Sequence, residues 1–309
     1  MQETAMQNLE FVVQGDESQQ PLEKYLLDKT SFSRRKVRRL IDQGGVRINR
    51  SQAWKAAWKV VRGDRISIRF SSESLQVSTT KLSKKDLLYR KNGLIVVNKP
   101  PRVVSASGKG GILKLVQDSF RIKENLYLCH RLDKETSGVL LLADSKTLAD
   151  QVMDEFRHRR VKKIYHALTV GQSSQQFWET ECHLKTMQDG KVHVVHAGGQ
   201  VSKTDFECIA RGQATSFVRC FPTTGRTHQI RVHLALAGLP ILGDKIYGDP
   251  RRIAQHLQGA ASVHHLLHAR ALEMDLAGET LRFVAPHPGM FEQGVEAAGI
   301  DPDALKQDR

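Results

Sequence analysis

The chain has 309 residues, with 47 Lys+Arg against 33 Asp+Glu and a formal net charge of +14. Its 40% hydrophobic share supplies a sizeable core, yet no run approaches the ~20 apolar residues of a membrane span. An integral helical membrane protein is therefore excluded and no membrane partner is expected. The first sixteen residues carry Glu3 and Glu10 and lack an apolar segment, unlike a secretory leader. Cys129, Cys182, Cys208 and Cys220 are scattered without a CxxC pair, which disfavours a disulfide framework or a cysteine zinc site. A reducing compartment, the cytoplasm, is the expectation. The length suggests two domains, and the basic excess points to a polyanionic partner, nucleic acid ahead of a membrane surface.

The charge is concentrated. Residues 21–70 hold fourteen Lys/Arg and four acids, ten of the fourteen units of net charge. Leu22, Tyr25 and Leu26 have the apolar spacing of a short helix. Ser33 is placed to cap a second helix that buries Val37, Leu40 and Ile41 and turns Arg34, Arg35, Arg38 and Arg39 to solvent. Gly44-Gly45 stops it. Val46 to Asn49 is predicted as a short strand, Gly63-Asp64 as a turn, and Arg65 to Phe70, which alternates apolar and polar, as another strand. A basic helix face of this kind is either simply solvated or a contact surface. The order Leu22 to Leu26, Ser33 to Ile41, Gly45 to Asn49 and Val60 to Arg65 resembles an S4-type RNA-binding domain. That resemblance implies that Arg34, Arg35, Arg38, Arg39 and Arg47 contact RNA. Such contacts fall on phosphates and give salt-dependent affinity with little sequence readout.

Residues 71–86 are rich in Ser, Thr and Lys and read as a linker. Beyond them, Gly93 to Asn98 and Gly138 to Ala143 are predicted as buried strands, with Lys163 to Val170, Phe217 to Phe221 and Leu281 to Ala285 as further strands. Ser145 is placed to cap a helix carrying Leu148, Val152 and Phe156, and Thr227 to cap one carrying Ile230 and Leu234. The mixture is α+β without regular βαβ alternation. Polar residues from 293 onward suggest a loose terminus.

Three clusters carry candidate chemistry. His130 to Gly138 (HRLDKETSG) sets Asp133 just before a buried strand. It is read either as a turn, since Asp, Thr, Ser and Gly are turn residues, or as a held carboxylate. In Thr223 to Arg231 a glycine turn delivers Arg226 toward a helix start. It is either a surface arginine or the partner that keeps a carboxylate ionised. Tyr165, in Lys162-Lys163-Ile164-Tyr165, lies in an alternating strand and is either core or a ring facing a ligand.

Taken together, HRLDKETSG, Lys163-x-Tyr165, GRTHQIRVHLA (225–235), Pro240 to Asp244 and Tyr247-Gly248 strongly resemble the RluA-type family of RNA pseudouridine synthases over about 87–290. One departure is Val103 to Gly108, where members often carry a His-Pro pair. The resemblance implies an α+β synthase domain with a mixed, largely antiparallel sheet and a central RNA cleft, behind a small α+β S4-like domain. The expected organisation is an N-terminal tail (1–18), the S4-like domain (19–70), a linker (71–86), the catalytic domain (87–292) and a C-terminal tail (293–309).

It further implies isomerisation of uridine to pseudouridine in structured RNA, with large-subunit ribosomal RNA as the expected substrate and the chain acting as a monomer. Asp133 matches the essential aspartate, Arg226 its arginine partner, Tyr165 the tyrosine that stacks on the base, and Arg131 the arginine that fills the vacated RNA stack. No cofactor or metal is implied. A transfer-RNA synthase and a non-catalytic RNA-binding or ribosome-assembly protein are the alternatives. His264, His265 and His268 include an i, i+4 pair that would share a helix face, but no acid lies in register and no metal site is expected. His228 and His233 read as helix-packing residues. Ser107 to Gly111 reads as a flexible loop near the RNA, since it lacks the spacing of a phosphate loop.

Overall fold

The computed structural model describes residues 6–42, 45–49, 51–53, 56–71, 81–106, 111–187, 189–248 and 264–306. Within helices and strands the side chains of residues 6, 35, 39, 42, 51, 52 and 71 are outside that description. Trp54, most of the 71–86 linker, the 107–110 part of the glycine-rich loop and residues 307–309 also lie outside the described residues. The chain divides into two compact units, Met1–Thr80 and Lys81–Arg309.

The first unit pairs two helices with a small antiparallel sheet. Helix α1 spans Leu22–Lys29 and α2 spans Arg34–Asp42. The strands are β1 (Met6–Val12), β2 (Val46–Ile48), β3 (Ser51–Gln52) and β4 (Arg65–Ser71), in the order β1-β4-β2-β3. Both helices bury their predicted apolar faces, with Leu22, Tyr25, Leu26, Val37, Leu40 and Ile41 in one core with Ile66 and Ile68 of β4. Ser33 Oγ accepts the backbone N–H of Lys36 at 3.3 Å, so the expected cap forms. The expected N-terminal tail is a correction. β1 pairs with β4 from Met6↔Ser71 to Val12↔Arg65, and Leu9 and Phe11 pack on the core. Leu9, Phe11 and Val13 turn inward with Glu10 between the first two, as a strand requires, a signal that the exposed apolar Val12 obscures.

The second unit is built on a mixed sheet. Its strands are β5 (Leu87–Lys91), β6 (Leu94–Lys99), β7 (Tyr127–Leu128), β8 (Ser137–Ala143), β9 (Lys162–Val170), β10 (Phe177–Thr186), β11 (Val192–Val195), β12 (Gln200–Arg211), β13 (Thr215–Pro222), β14 (Leu267–Leu276) and β15 (Glu279–Val284). The order is β11-β10-β12-β13-β9-β14-β8-β6-β5, with β15 on β14 and β7 on β8. Among these pairings only β8 with β14 is parallel.

β8 is buried along its whole length, as a strand covered on both faces must be. Val139, Leu141 and Ala143 face helix α4 (Lys146–Arg157) through Ala149 and Val152. Leu140 and Leu142 face helix α3 (Ile112–Phe120) through Ile112 and Val116. Ser145 Oγ caps α4 by accepting Leu148 N–H at 3.3 Å. At the head of β8 the chain admits only glycine. Gly138 has φ +116°, and a Cβ there would meet the Ala269 carbonyl of β14 at 2.2 Å. This close approach fixes the loop before β8 against β14.

The C-terminal tail is also corrected. Helix α6 (Gly289–Ala297) and a 3-10 turn at Pro302–Lys306 bury Phe291, Val295, Ile300, Ala304 and Leu305 against Leu168, Phe217 and Leu266. The polar majority of the segment hides an apolar stripe wide enough to dock it.

Candidate active site

Three segments line one pocket. They are the loop before β8, the start of β9, and the turn entering helix α5 (Gln229–Leu236). The loop before β8 is held from several sides. His130 Nε2 accepts the N–H of Leu141 at 3.1 Å, and its ring lies 4.7 Å from that of Phe156. Burial pushes its pKa down to about 3, so this ring is a neutral acceptor. Ser105 Oγ accepts Leu132 N–H at 3.1 Å and donates to Leu132 O at 2.8 Å, clamping both backbone groups of the residue before Asp133. The segment lacking the His-Pro pair thus contributes a serine staple. Thr136 Oγ1 lies 2.9 Å from His265 Nε2, and Ser137 Oγ 2.9 Å from His268 Nδ1. His264 and His265 precede β14 and His268 lies within it, so the helical spacing read from the sequence does not apply.

Lys99 ends β6, one residue beyond the predicted strand. It is 0% exposed, and its Nζ donates to the carbonyls of Pro100, Val103 and Lys134 at 2.9, 2.9 and 3.2 Å. Burial lowers its pKa to about 7, opposed by the charge of Asp133. A lysine directly after the apolar run 94–97 and Asn98 was the available signal. It ties the two loops beside Asp133 together.

Asp133 keeps 26% of its side chain exposed, toward the pocket. Its charged partner corrects the expectation. Arg231 Nη1 donates to Asp133 Oδ2 at 3.2 Å, whereas Arg226 Nε donates to the Val201 carbonyl of β12 at 3.1 Å. The reason lies in the turn. Gln229 Oε1 accepts both Thr224 Oγ1 at 2.6 Å and Arg226 N–H at 3.0 Å, closing residues 224–229. Arg226 then runs back to β12, while α5 carries Arg231 inward. The helix begins one residue after His228, which is left-handed (φ 53°), and Thr227 does not cap it.

Arg231 is itself gripped by Asp244, with Nε to Oδ2 at 2.6 Å and Nη2 to Oδ1 at 2.9 Å. Asp244 Oδ1 also accepts the N–H groups of Ile246 and Tyr247. Burial pushes the Asp244 carboxyl up, but the Arg231 fork and those donors bring it below its ordinary value. Burial likewise disfavours the guanidinium, and the two carboxylates outweigh it. The result is an Asp133–Arg231–Asp244 array with a bidentate buried half.

Tyr165 is half-buried at the pocket wall, its hydroxyl held protonated by burial and then by the Asp133 charge. Lys163, on the same face of β9, donates to Thr224 O at 3.0 Å. Burial and the charge of Arg159 lower it to about 8. Arg131 is exposed at the rim and Arg226 borders the pocket. Asp133, Tyr165, Arg226 and Arg131 are thus brought together, and Arg231 is the member the sequence reading lacked. A planar base fits such a pocket, with one aromatic wall, one carboxylate and cations at the rim. Its distinctive feature is a carboxylate paired with a buried arginine and open to the pocket.

The comparisons agree. Residues 93–236 match the RNA pseudouridylate synthase family, and residues 20–66 match the S4 domain. The Yersinia pestis protein named ribosomal large subunit pseudouridine synthase C is 33% identical over 89% of this chain and 91% of its own length. The chain belongs to the RNA pseudouridylate synthase family. The Escherichia coli K12 protein of the same name is 30% identical over 89% of this chain and 91% of its own. Among solved structures, human RNA pseudouridylate synthase domain containing 4 superposes with a TM-score of 0.60 at 30% identity. It covers 70% of this chain and 94% of that one. This synthase is therefore an isomerase that converts uridine to pseudouridine, on the expected mixed α+β fold with an S4 domain in front. Among its described residues no helix is long and apolar enough to cross a membrane.

In the S4 unit, two of the candidate contact arginines meet an acid. Arg38 donates to Glu23 through Nε at 2.5 Å and Nη2 at 3.2 Å, and Arg34 Nε lies 3.7 Å from the same carboxylate. Both remain well exposed, and Arg47 faces outward on β2. The side chains of Arg35 and Arg39 lie outside the described residues.

Proposed function

We propose that this synthase isomerises one or more uridines in large-subunit ribosomal RNA, acting as a cytoplasmic monomer, with Asp133 as the reacting carboxylate. The observation that carries the chemistry is Asp133 held at 3.2 Å by Arg231 in a pocket walled by Tyr165. The names of the two bacterial relatives support the substrate.

The target atoms of a stacked uridine are hidden, so the nucleotide must flip out, at a cost of a few kcal/mol. Tyr165 offers the flipped base a face worth ~1–3 kcal/mol, and Arg131 at the rim replaces it in the RNA stack. The N1–C1′ bond then breaks, the base rotates, and C5 bonds to C1′. C5 gives up its proton to solvent and N1 takes one, so nothing is oxidised or reduced. Arg231 holds the Asp133 carboxylate in place through this sequence, because its own position is set by Asp244. Arg226 borders both this pocket and an adjoining groove lined by Lys185, Thr186 and Gln200. It contacts a phosphate of the bound strand there.

The S4 unit brings phosphate contacts of its own through Arg34, Arg35, Arg38, Arg39 and Arg47. Its presence favours structured ribosomal RNA over transfer RNA. Incubation of the purified protein with unmodified ribosomal RNA, followed by carbodiimide labelling and primer extension, tests the substrate. New stops in large-subunit RNA support it. Stops confined to transfer RNA, or none in either pool, contradict it.

A further inference from the structure

Asp133 has a second neighbour besides Arg231. Nε2 of His228 lies 3.9 Å from Asp133 Oδ2, the same oxygen that Arg231 contacts. The other ring nitrogen, Nδ1, lies 2.8 Å from the hydroxyl of Tyr247. That hydroxyl oxygen already accepts the backbone N–H of Val192 at 2.9 Å.

These contacts favour one tautomer. Burial holds the His228 ring below its ordinary pKa, against the opposing charge of Asp133, so at neutral pH it carries one proton. With that proton on Nδ1, a bare nitrogen lone pair would face a carboxylate oxygen. With it on Nε2, the ring donates toward the carboxylate and Nδ1 accepts the Tyr247 proton. Only the second arrangement is attractive at both ends. The charged and titratable groups around the ring are Asp133, Arg231, Asp244, Tyr247 and His265. His228 also adopts a left-handed backbone (φ 53°) that a side chain bearing a Cβ rarely takes, directly before α5.

We propose that His228 is a positioning residue for the reaction: locked by Tyr247 with its proton on Nε2, it faces the carboxylate oxygen that Arg231 holds, fixing Oδ2 and turning Oδ1 to the uridine. The Arg231 hydrogen bond at 3.2 Å and a ring N–H facing the same oxygen from 3.9 Å together bias the rotation of the carboxylate about its Cβ–Cγ bond, the second by electrostatic attraction. This role rests on Asp133 being the reacting group.

The test is single-turnover tritium release from ribosomal RNA labelled at uridine C5, with RNA affinity measured in parallel. His228→Ala is expected to slow the single-turnover rate about 10- to 100-fold while the RNA Kd stays within about two-fold. His228→Gln, whose amide N–H reaches toward Oδ2, recovers most of that rate. Tyr247→Phe releases the tautomer and slows the step less than His228→Ala does. Should His228→Ala not fold by circular dichroism, the other two variants carry the test. A wild-type rate in His228→Ala, a loss confined to Kd, or a His228→Gln variant as slow as alanine overturns the role. Wild-type protein inactive on ribosomal RNA overturns the substrate instead, and the same ratios are then read on the RNA that it does turn over.

Discussion

Asp133 and Arg231, 98 residues apart in the chain, meet at 3.2 Å, and the other side of the same guanidinium is clamped by Asp244. The Asp133 carboxylate is thus positioned by a cation that is itself fixed by a carboxylate with no exposure to solvent. Arg231 contributes to the fold and to the site at once, and its effects on the two are separable by experiment.

Arg231→Ala leaves Asp244 as a buried, unpaired carboxylate. We expect it to destabilise the synthase by ~3–5 kcal/mol and to abolish turnover. Arg226→Ala removes a half-exposed side chain bonded to one carbonyl, and its stability should stay within ~0.5 kcal/mol of wild type while RNA affinity falls. Urea denaturation of both variants checks the contrast. Equal stability losses would mean that the two arginines share the load.

Acid should weaken the fold through its buried neutral histidines. His130 is held at about 3 and His233 at about 4, both chiefly by burial. The unfolded chain protonates these rings below ~6.5, while the folded chain does not. Unfolding then takes up protons, so stability is fully present above that pH. It is lost as pH falls toward the folded values, by up to ~1.4 kcal/mol per unit for each ring. His130→Gln retains an acceptor for Leu141 N–H without a titrating ring. Its stability measured from pH 7.5 to 5 should fall less steeply than that of the wild type. Identical slopes would show that His130 protonates in place.

Phe291 anchors the C-terminal helix against Phe217, His268 and His287. Phe291→Ala is expected to cost ~3–5 kcal/mol, and truncation before residue 289 to cost at least as much. A truncated chain as stable as the full one would return this segment to the status of a tail.

In the S4 unit, exchanging Arg34, Arg38 and Arg47 for Gln should weaken RNA binding and reduce the slope of log K against log salt by roughly 0.7–0.9 per lost phosphate contact. The exposed pair with Glu23 contributes little to stability, so the variant should remain folded. Binding at several salt concentrations checks this. An unchanged slope would show that the basic helix is only a solvated face.

How legible these features were followed from whether the local pattern and the tertiary environment agreed. β8 and α4 were readable because Gly138 to Ala143 is uniformly apolar and Ser145 caps a helix with a regular stripe. β12 was not, because its inward positions include Ser202 and Thr204, which are buried by bonding to His233 rather than by being apolar. Arg226 and Arg231 flank one motif. Which of them turns inward is decided by Gln229 closing the turn and by Asp244, thirteen residues beyond Arg231. A long-range partner of that kind leaves no mark in local spacing. The spacing of His264 and His268 misled for the complementary reason, since four residues place two side chains together only if the segment is helical.

The most direct test of the account is tritium release from C5-labelled ribosomal RNA by the wild type and by Asp133→Asn, with the RNA affinity of both measured alongside. Asn keeps the shape and accepts from Arg231 but cannot serve as the reacting carboxylate. The account predicts release by the wild type and none by the variant at near-equal affinity. Undiminished release by Asp133→Asn would contradict it.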